Sequence, residues 1–354
     1  MTRPRGLSTF SIAATYVGTV VGAGFATGQE VLQFFTHFGL NGVWGVIGAT
    51  FLFAVLGGTI IHIGHRLQAQ SHVAVVNAVV GPTLGRLMDG VITFFLFGSA
   101  AVMMAGSGAV FAESFGLNRF LGTLLMAVIA GGTVLMGLRG VVKSISAVAP
   151  ILILMVVIIS LGSLVSTGIS PADLRWYRPA EASTAWWPVS LFLYVSYNLL
   201  LSIAVLGPLG KEAADGPTGF WGGVTGGMVL GLGALLINLA LLGGLPDSAR
   251  YEVPMIQLAR RFPPLVSGIY SLILWAEVYT TAVSSLYGLA VRLTSPESPR
   301  YALVVGSATV GALVLSQVGF SQMVSFLFPV VGWLGLILVG GLILRLVLPE
   351  RTRV

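Results

Sequence analysis

The sequence contains no cysteine, four histidines and little charge: its 354 residues include 18 Lys and Arg and 12 Asp and Glu, or 8% in total. Without cysteine there is no disulfide, no thiolate metal ligand and no cysteine nucleophile. The histidines are not spaced as metal ligands, and no serine stands with a catalytic base, so we expect neither an enzyme nor a cofactor. A soluble domain carries roughly 25% charged residues. A chain that is 56% hydrophobic, with a mean hydropathy of +0.95, is expected to be a membrane protein.

Apolar runs long enough to cross a bilayer recur along the whole chain. A helix needs about 20 predominantly apolar residues to span the hydrocarbon core. Pro, Gly and charged residues divide the chain into ten such runs, which predicts an all-α integral membrane fold in a single transmembrane domain, 1–354. The predicted spans lie near 8–35, 41–63, 87–112, 119–137, 142–166, 186–209, 219–243, 264–292, 301–316 and 321–346.

The basic residues lie in short loops between these spans and are divided unequally between the two sides. This pattern indicates orientation in a lipid bilayer rather than a basic face for nucleic acid. Because cytoplasmic loops are enriched in Lys and Arg, we predict a multi-pass protein of the bacterial cytoplasmic membrane with both termini inside. One side carries twelve basic residues (Arg3, Arg5, Arg66, Arg86, Arg139, Lys143, Lys211, Arg292, Arg300, Arg345, Arg351 and Arg353) and the other carries six (Arg119, Arg175, Arg178, Arg250, Arg260 and Arg261).

The two halves of the chain share a pattern. Pro150 in the fifth span and Pro329 in the tenth are offset by 179 residues, and the same offset carries Gly22 to Leu201 in the sixth span. We therefore predict two repeats, 8–166 and 186–346, inserted with opposite topology because each contains five spans. Discontinuous helices at corresponding positions, here the first and sixth, indicate the midplane binding site of a secondary transporter.

The first span contains the stretch VGAGFATGQE, in which Gly22, Gly24 and Gly28 each lower helix propensity by about 1 kcal/mol relative to alanine. A break at 22–25 would expose amides for a substrate carboxylate and carbonyls for a cation. The alternative is close helix packing through small residues. Gln29 and Glu30 follow the glycines. We interpret them as an outer gate, and contact with external water is the alternative for Glu30.

The eighth span places a carboxylate near mid-bilayer. Glu277 shares one helix face with Thr281, Ser284 and Gly288, and Thr280 and Ser285 lie beside that face. Carboxylate and hydroxyl oxygens suit Na⁺. The carboxylate alone suits H⁺, because removal from water favours its protonated form. The alternative for the hydroxyls is bonding to carbonyls of their own helix.

Four further side chains are candidates for lining a solute cavity. They are Met103 and Ser107 in the third span and Tyr194 and Tyr197 in the sixth. The alternative interpretation is ordinary packing, which is the more frequent role of methionine and aromatic side chains.

The segments GTVVGAGFATGQEVLQFF, YNLLLSIAVLGPLGKE and YTTAVSSLYG closely resemble those of YkvI-type bacterial membrane proteins. The resemblance implies the amino acid–polyamine–organocation superfamily and its LeuT-like 5+5 inverted repeat. In that fold, helices one and six hold the substrate, and helices one and eight hold a coupling cation. By this resemblance Gly18 and Val21 present carbonyls to a cation, Gly22, Ala23 and Gly24 present backbone to the substrate, and the paired hydroxyls are either Thr280 with Thr281 or Ser284 with Ser285. The coupling-ion candidates are therefore Gly18, Val21, Thr280, Thr281, Ser284 and Ser285, together with Glu277, which the residue pattern itself indicates, and the Na⁺ set is Gly18, Val21, Thr280, Thr281 and Ser284. With the cavity candidates named above, the substrate candidates are Gly22, Ala23, Gly24, Phe25, Met103, Ser107, Tyr194, Tyr197 and Asn198.

The sequence departs from the well-known sodium symporters of this fold at two places. Glu277 occupies a position that is usually small in them, and Gln29-Glu30 stands near a basic gate residue of some. Both departures put the ion and the charge of the solute in doubt.

The predicted function is symport of a small organic solute, an amino acid or amine, with Na⁺ favoured over H⁺, by alternating access. Two buried carboxylates without a buried Lys or Arg partner favour an amine-bearing cargo. A solute-sensing receptor subunit on the same fold and a channel are the alternatives. The solute, the direction of transport and the oligomeric state stay open.

Overall fold

The computed structural model describes residues 6–136, 148–170 and 184–347, and the regular structure in these ranges is helical, with one isolated bridge between Leu7 and Ala213. Short 3₁₀ turns join some of the helices. The α-helices are α1 Thr9–Val20, α2 Ala23–Ala26, α3 Gln29–Phe34, α4 Leu40–Arg66, α5 His72–Phe115, α6 Arg119–Leu135, α7 Val148–Thr167, α8 Trp187–Glu212, α9 Gly216–Leu242, α10 Pro254–Ala259, α11 Pro264–Leu293, α12 Tyr301–Leu315 and α13 Phe320–Val347.

Eight helical segments of the described chain are long and apolar enough to cross a membrane, and they belong to α4, α5, α7, α8, α9, α11, α12 and α13. The apolar helices α1 and α6 are shorter. Every predicted span coincides with one of these helices, except that the first is divided among α1, α2 and α3. The all-helical membrane fold is therefore confirmed, while the count of ten spans stays a prediction. The start of the fifth span, 142–147, lies outside the described residues, as do Arg3, Arg5, Arg139, Lys143, Arg175, Arg178, Arg351 and Arg353.

Polar caps and prolines set where several helices begin. Ser8 accepts a hydrogen bond from the Ser11 amide at α1, and Asn118 accepts one from the Phe120 amide at α6. Asp215 caps α9 by accepting the Thr218 amide at 2.7 Å, and this hydrogen bond lowers the pKa of the Asp215 carboxyl. Such caps satisfy amides that a helix start leaves free.

The third span begins earlier than predicted. Its helix α5 starts at His72 rather than near residue 87, and it bends at Gly81, where φ is +82° and the next residue is Pro82. The left-handed conformation is accessible to glycine at little cost. Residues 72–80 therefore form a separate arm before the spanning part of α5.

The long helices form two packed groups. One contains α1, α4, α8 and α9, and the other contains α5, α6, α11 and α12, with α13 contacting both α8 and α5. Glycines allow α4 and α9 to approach closely: a Cβ built on Gly223 would lie 2.5 Å from the Gly58 Cα. This approach is typical of membrane helices that pack through small residues.

The sixth span differs from the prediction. We expected a discontinuous helix, but α8 is one continuous helix from Trp187 to Glu212. Asn198, which interrupts the apolar run, donates from its side chain to the Tyr194 carbonyl at 2.9 Å. Because the amide is satisfied on its own helix, the polar residue does not break the backbone. Where the structure describes the predicted spans, the helix is interrupted within the first and continuous through the sixth.

Candidate functional site

The first helix is broken at two residues. Val21 (φ −70°, ψ 93°) and Gly22 (φ −114°, ψ −173°) are extended and separate α1 from α2. Gly28, with φ +77°, then adopts the left-handed conformation between α2 and α3. The apolar run of the first span is therefore a chain of three helical pieces.

The break leaves backbone groups free in the interior. The last amide bond of α1 joins the Val21 amide to the Val17 carbonyl at 2.8 Å, and the first of α2 joins the Ala26 amide to the Gly22 carbonyl at 3.1 Å. Among the described residues, no hydrogen bond reaches the amides of 22–25 or the carbonyls of 18–21. Unbonded backbone groups at membrane depth require a polar cavity or a ligand.

Helix α11 turns one face toward this break. The Tyr270 hydroxyl donates to the Ala26 carbonyl at 2.7 Å, and a Cβ built on Gly22 would lie 3.6 Å from Thr281 Oγ1. Glu277 follows Tyr270 by seven residues and precedes Thr281 by four, so the three share one face of the helix. Glu277 is 5% exposed. Glu277 therefore lies on the face of α11 whose Tyr270 and Thr281 approach the region where α1 ends and α2 begins.

Glu30 brings a second carboxylate to the same region. It is 7% exposed and folds back from α3, so that a Cβ on Gly24 would overlap its carboxylate. The Tyr197 hydroxyl of α8 donates to Glu30 Oε2. In the described part of the chain, no Lys, Arg or His stands within ion-pair distance of Glu30 or Glu277.

The position of Glu30 differs from the one expected for an outer gate. Its carboxylate lies in the core beside Gly24 and is absent from the lining of the outer cleft, whereas the neighbouring Gln29 does line that cleft. The left-handed turn at Gly28 changes the direction of the chain before α3. As a result the Glu30 side chain points back toward α2.

An aromatic cluster surrounds the Glu30–Tyr197 contact. Tyr197 stacks on Phe328 with ring centroids 5.0 Å apart, and Phe34 lies 5.6 Å from Tyr197. Tyr194 packs edge-on against Phe35 at 4.8 Å. Tyr197 is thus connected to the region of the break by its hydrogen bond to Glu30, whereas Tyr194 packs against the ring of Tyr197.

Two of the candidate substrate residues point elsewhere. The Asn198 side chain is bonded to its own helix, as described above. Phe25 is 4% exposed, and its ring lies against Gly233 of α9, at 3.2 Å from a Cβ built there. Ala23 and Gly24, by contrast, are buried at the start of α2.

Two of the predicted hydroxyls, those of Ser107 and Ser285, have partners on other helices. Ser107 accepts from Trp275 Nε1 at 2.8 Å and donates to the Gly122 carbonyl at 2.8 Å, so it joins α5, α6 and α11. Ser285 bonds Ser99 at 3.0 Å across the same interface. Met103 lies between Ser99 and Ser107 on the α5 face that contacts α11.

Two more hydroxyls of the predicted ion set donate to carbonyls of their own helix. Thr280 donates to the Glu277 carbonyl and Ser284 to the Thr281 carbonyl, each at 3.0 Å. Within the described residues, the Thr281 hydroxyl has no hydrogen-bond partner. Of the alternative hydroxyl pairs, Thr280 with Thr281 includes the hydroxyl that lies close to Gly22 at the break.

A polar cleft of about 530 Å³ lies outside the break. Gln29 donates from Nε2 to Ser321 Oγ at 2.6 Å in its wall, and Arg119 forms an ion pair with Glu252 at its rim. Below it the Met255 amide donates to the Thr27 carbonyl at 3.0 Å. These contacts close the molecule on this side of α2 and α3.

Glu113 supports the closed side and was not among the predicted site residues. Its carboxylate accepts the Glu252 amide at 2.7 Å and the Val253 amide at 3.1 Å, and the Glu252 carboxylate accepts the Phe320 amide at 3.1 Å. The sequence carries no signal for these bonds, because they join side chains to loop backbone far away in the chain.

The chain is similar to known proteins along nearly its whole length, although no family model matches it. It is 32% identical over 340 residues to the membrane protein YkvI of Bacillus subtilis (strain 168), with 96% of each chain covered. The structure superposes on MhsT in complex with L-phenylalanine with a TM-score of 0.66 and 16% identity, covering 95% of this chain and 89% of that one.

A second solved structure has the same architecture. It is a Na⁺-coupled sialic acid symporter in a substrate-bound outward-open state, with a TM-score of 0.61 and 13% identity, covering 97% of this chain and 79% of that one. Similarities at this level of identity establish the LeuT-like fold, and the resemblance to YkvI inferred from the sequence motifs is confirmed. The chain belongs to the YkvI family of bacterial membrane proteins, built on the LeuT-like fold.

Proposed function

We propose that the protein is a secondary transporter that couples transport of a small amine-bearing solute, such as an amino acid, to a cation by alternating access. The observation that carries this proposal is the pair of buried carboxylates, Glu30 and Glu277, beside the broken first helix without a basic partner. A buried carboxylate is costly in a membrane and indicates function. A positively charged cargo or ion would supply the missing charge.

The two sides of the break suit the two ends of an amino acid. The free amides of 22–25 can donate to a carboxylate, and Glu30, oriented by Tyr197, can accept from an amino group. The aromatic cluster around Tyr197 would limit the size of the solute. The L-phenylalanine bound by MhsT is consistent with this class of cargo.

The coupling ion would bind on the opposite side of the break. The free carbonyls of 18–21, the Thr281 hydroxyl and Glu277 offer hard oxygen ligands, which favours Na⁺. The Na⁺ coupling of the sialic acid symporter supports the same choice. H⁺ carried by Glu277 is the competing possibility, and the experiment below separates the two.

The first test is a thermal-shift screen of amino acids and amines in sodium and in choline buffer, with wild type, Glu277→Gln and the exposed control Glu297→Gln. We expect a solute that stabilises the wild type and Glu297→Gln only when sodium is present, and no sodium effect in Glu277→Gln. A pH-dependent, sodium-independent shift that disappears in Glu277→Gln would instead select H⁺.

The second test is accumulation of that solute in proteoliposomes under an ion gradient. Uptake against the solute gradient is the result expected of a symporter. Binding without accumulation would refute transport and favour a receptor subunit. Solute flux down its own gradient, without coupling to the ion, would favour a channel.

We also propose a bacterial cytoplasmic location with both termini inside, on the distribution of Lys and Arg. The cysteine-free chain allows single reporters: Asp247→Cys is expected to react with an impermeant maleimide added outside intact cells, and Ser295→Cys is not. The reverse labelling would overturn this orientation.

A further inference from the structure

Residues 251–259, the outer segment, lie between the break in the first helix and the end of α5. The segment leads into α10, and most of it is buried. Its Tyr251 and Glu252 line the polar cleft beside Gln29. Helix α10 contacts α9 of one helix group and α11 of the other. The side on which the segment is held more firmly therefore decides where the molecule can open.

Charged side chains attach the outer segment to α5 and α6. Glu113, in the last turn of α5, accepts the Glu252 amide at 2.7 Å and the Val253 amide at 3.1 Å. Because both of its oxygens accept, the group binds as an ionised carboxylate. The Glu252 carboxylate forms an ion pair with Arg119 at the start of α6 and accepts the Phe320 amide at 3.1 Å. Hydrogen bonds to ionised groups are roughly twice as strong as neutral ones.

The residue that follows the segment returns to the same turn of α5. Arg260 donates to the Glu113 carbonyl and, at 3.1 Å, to the Tyr251 hydroxyl. Its guanidinium also lies over the Tyr251 ring, 5.2 Å from the centroid, which adds a cation–π attraction. Both ends of the outer segment are thus connected to the last turn of α5.

The contact with the first helix has a different character. The Met255 amide donates to the Thr27 carbonyl at 3.0 Å, which is a neutral backbone bond. Beside it the contact is apolar, since a Cβ built on Gly28 would lie 2.8 Å from Met255 Cγ. Leu258 packs in the same way near Gly244, at 3.0 Å from a Cβ built there. Apolar contact has no directional component, so this boundary can separate without breaking an ionic bond.

We propose that Glu113 is a positioning residue that keeps the outer segment on α5 when the molecule opens toward the cleft. The opening then separates Met255 from Thr27, because the neutral bond breaks before the charge-assisted ones. Closure requires only that α2 return to a surface already in place. Since the segment stays ordered, the conformational entropy of ordering it is not lost again at each closure.

The first test compares hydrogen exchange at three amides of the wild-type protein in neutral detergent, resolved by residue with mass spectrometry. After correction for intrinsic rates, we expect the Met255 amide to exchange at least tenfold faster than those of Glu252 and Val253. The Met255 acceptor lies on the first helix, whereas the acceptor of the other two is Glu113. Equal or slower exchange at Met255 would show that the segment leaves α5 first and would overturn the proposal.

The second test removes the carboxylate and follows the segment with one thiol. Met255 is fully buried and the chain has no cysteine, so Met255→Cys is a single reporter of separation from the first helix. In Glu113→Gln one acceptor oxygen is lost, and one of the two amides loses its partner. We expect a maleimide to label Met255→Cys at least about tenfold faster in this background. The matched control Asp247→Asn, which removes a carboxylate of the same connection that is 61% exposed, should change the rate less than twofold.

Three results of the labelling experiment would contradict the proposal. A rate within twofold of the parent in Glu113→Gln would show that the carboxylate does not hold the segment. An equal increase in Asp247→Asn would attribute the effect to charge in the connection generally. A parallel increase at Ala130→Cys, a reporter buried in α6, would show general loosening of the fold.

The two tests are independent of each other and of the solute. Hydrogen exchange in the wild type decides the proposal even if Glu113→Gln does not fold. Neither measurement uses a solute, so their failure would leave the proposed transport function standing, and failure to find a solute would leave both measurements valid.

Discussion

Replacing Gly24 by alanine tests whether Glu30 takes part in binding. A Cβ at this position would overlap a carboxylate oxygen of Glu30 and would lie 2.7 Å from its Cδ. Since carbon atoms pack best at about 3.5–4.0 Å, the carboxyl group must move by about 0.8 Å or more. The glutamate side chain is flexible enough to do so, and we therefore expect the protein to fold.

The displacement would cost the contact that orients the carboxylate. Tyr197 donates to Glu30 in a buried site, and a hydrogen bond to a charged group contributes about 1.5–3 kcal/mol. If the solute amine binds the carboxylate in its present position, the loss corresponds to a roughly 10- to 100-fold weaker Kd. The same substitution should leave the sodium dependence intact, because Glu277 lies on another helix.

The assay is equilibrium binding of the radiolabelled solute found in the screen, with Gly340→Ala as the matched control. Gly340 lies in α13, outside the proposed solute and ion sites, and a Cβ there meets nothing within 4 Å. We expect near wild-type affinity from this control. A Kd for Gly24→Ala within twofold of wild type would refute the assignment of Glu30 to the solute site, and equal losses in the two variants would attribute the effect to the added methyl group in general rather than to Glu30.

Two further predictions concern the ion site and the packing. Thr281→Ala is expected to raise the sodium concentration needed for half-maximal thermal stabilisation by about tenfold, whereas Ser284→Ala, whose hydroxyl is bonded within α11, should change it less than twofold. Gly223→Ala places a methyl group 2.5 Å from the Gly58 Cα and is expected to destabilise the protein by about 1–3 kcal/mol, seen as a lower Tm in detergent. Gly132→Ala, where the new methyl group meets nothing within 4 Å, should have little effect; equal Tm values for these two glycine variants would contradict the close approach of α4 and α9.

The sequence predicted the helices well. The length of an apolar run, and the Pro, Gly and charged residues that end it, are local properties of the chain. The eighth span, 264–292, agrees with α11 Pro264–Leu293 to one residue at its end, and Gly22 lies at the observed break. Helical spacing also placed Glu277 and Thr281 on one face. These features depend only on residues close to one another in the chain.

The features that the sequence did not predict depend on contacts between distant residues. Asn198 looked like an interruption of the sixth span, but its side chain is satisfied by its own helix and the backbone continues. The partners of Ser107 and Ser285 are serine, tryptophan and backbone groups on other helices. No pattern in a single sequence shows which hydroxyls already have a partner across an interface, so the sequence could not separate Ser107 and Ser285 from Thr281.

The division of the first helix has a mechanical consequence. The twelve residues of α1, Thr9–Val20, span about 18 Å at about 1.5 Å per residue. They are joined to α2 through two extended residues, whereas α8 is unbroken for 26 residues. A rotation of about 10° at Gly22 would therefore move the far end of α1 by about 3 Å while α2 and α3 stay in place. A continuous helix such as α8 would have to bend or tilt as a whole to move one of its ends by the same distance.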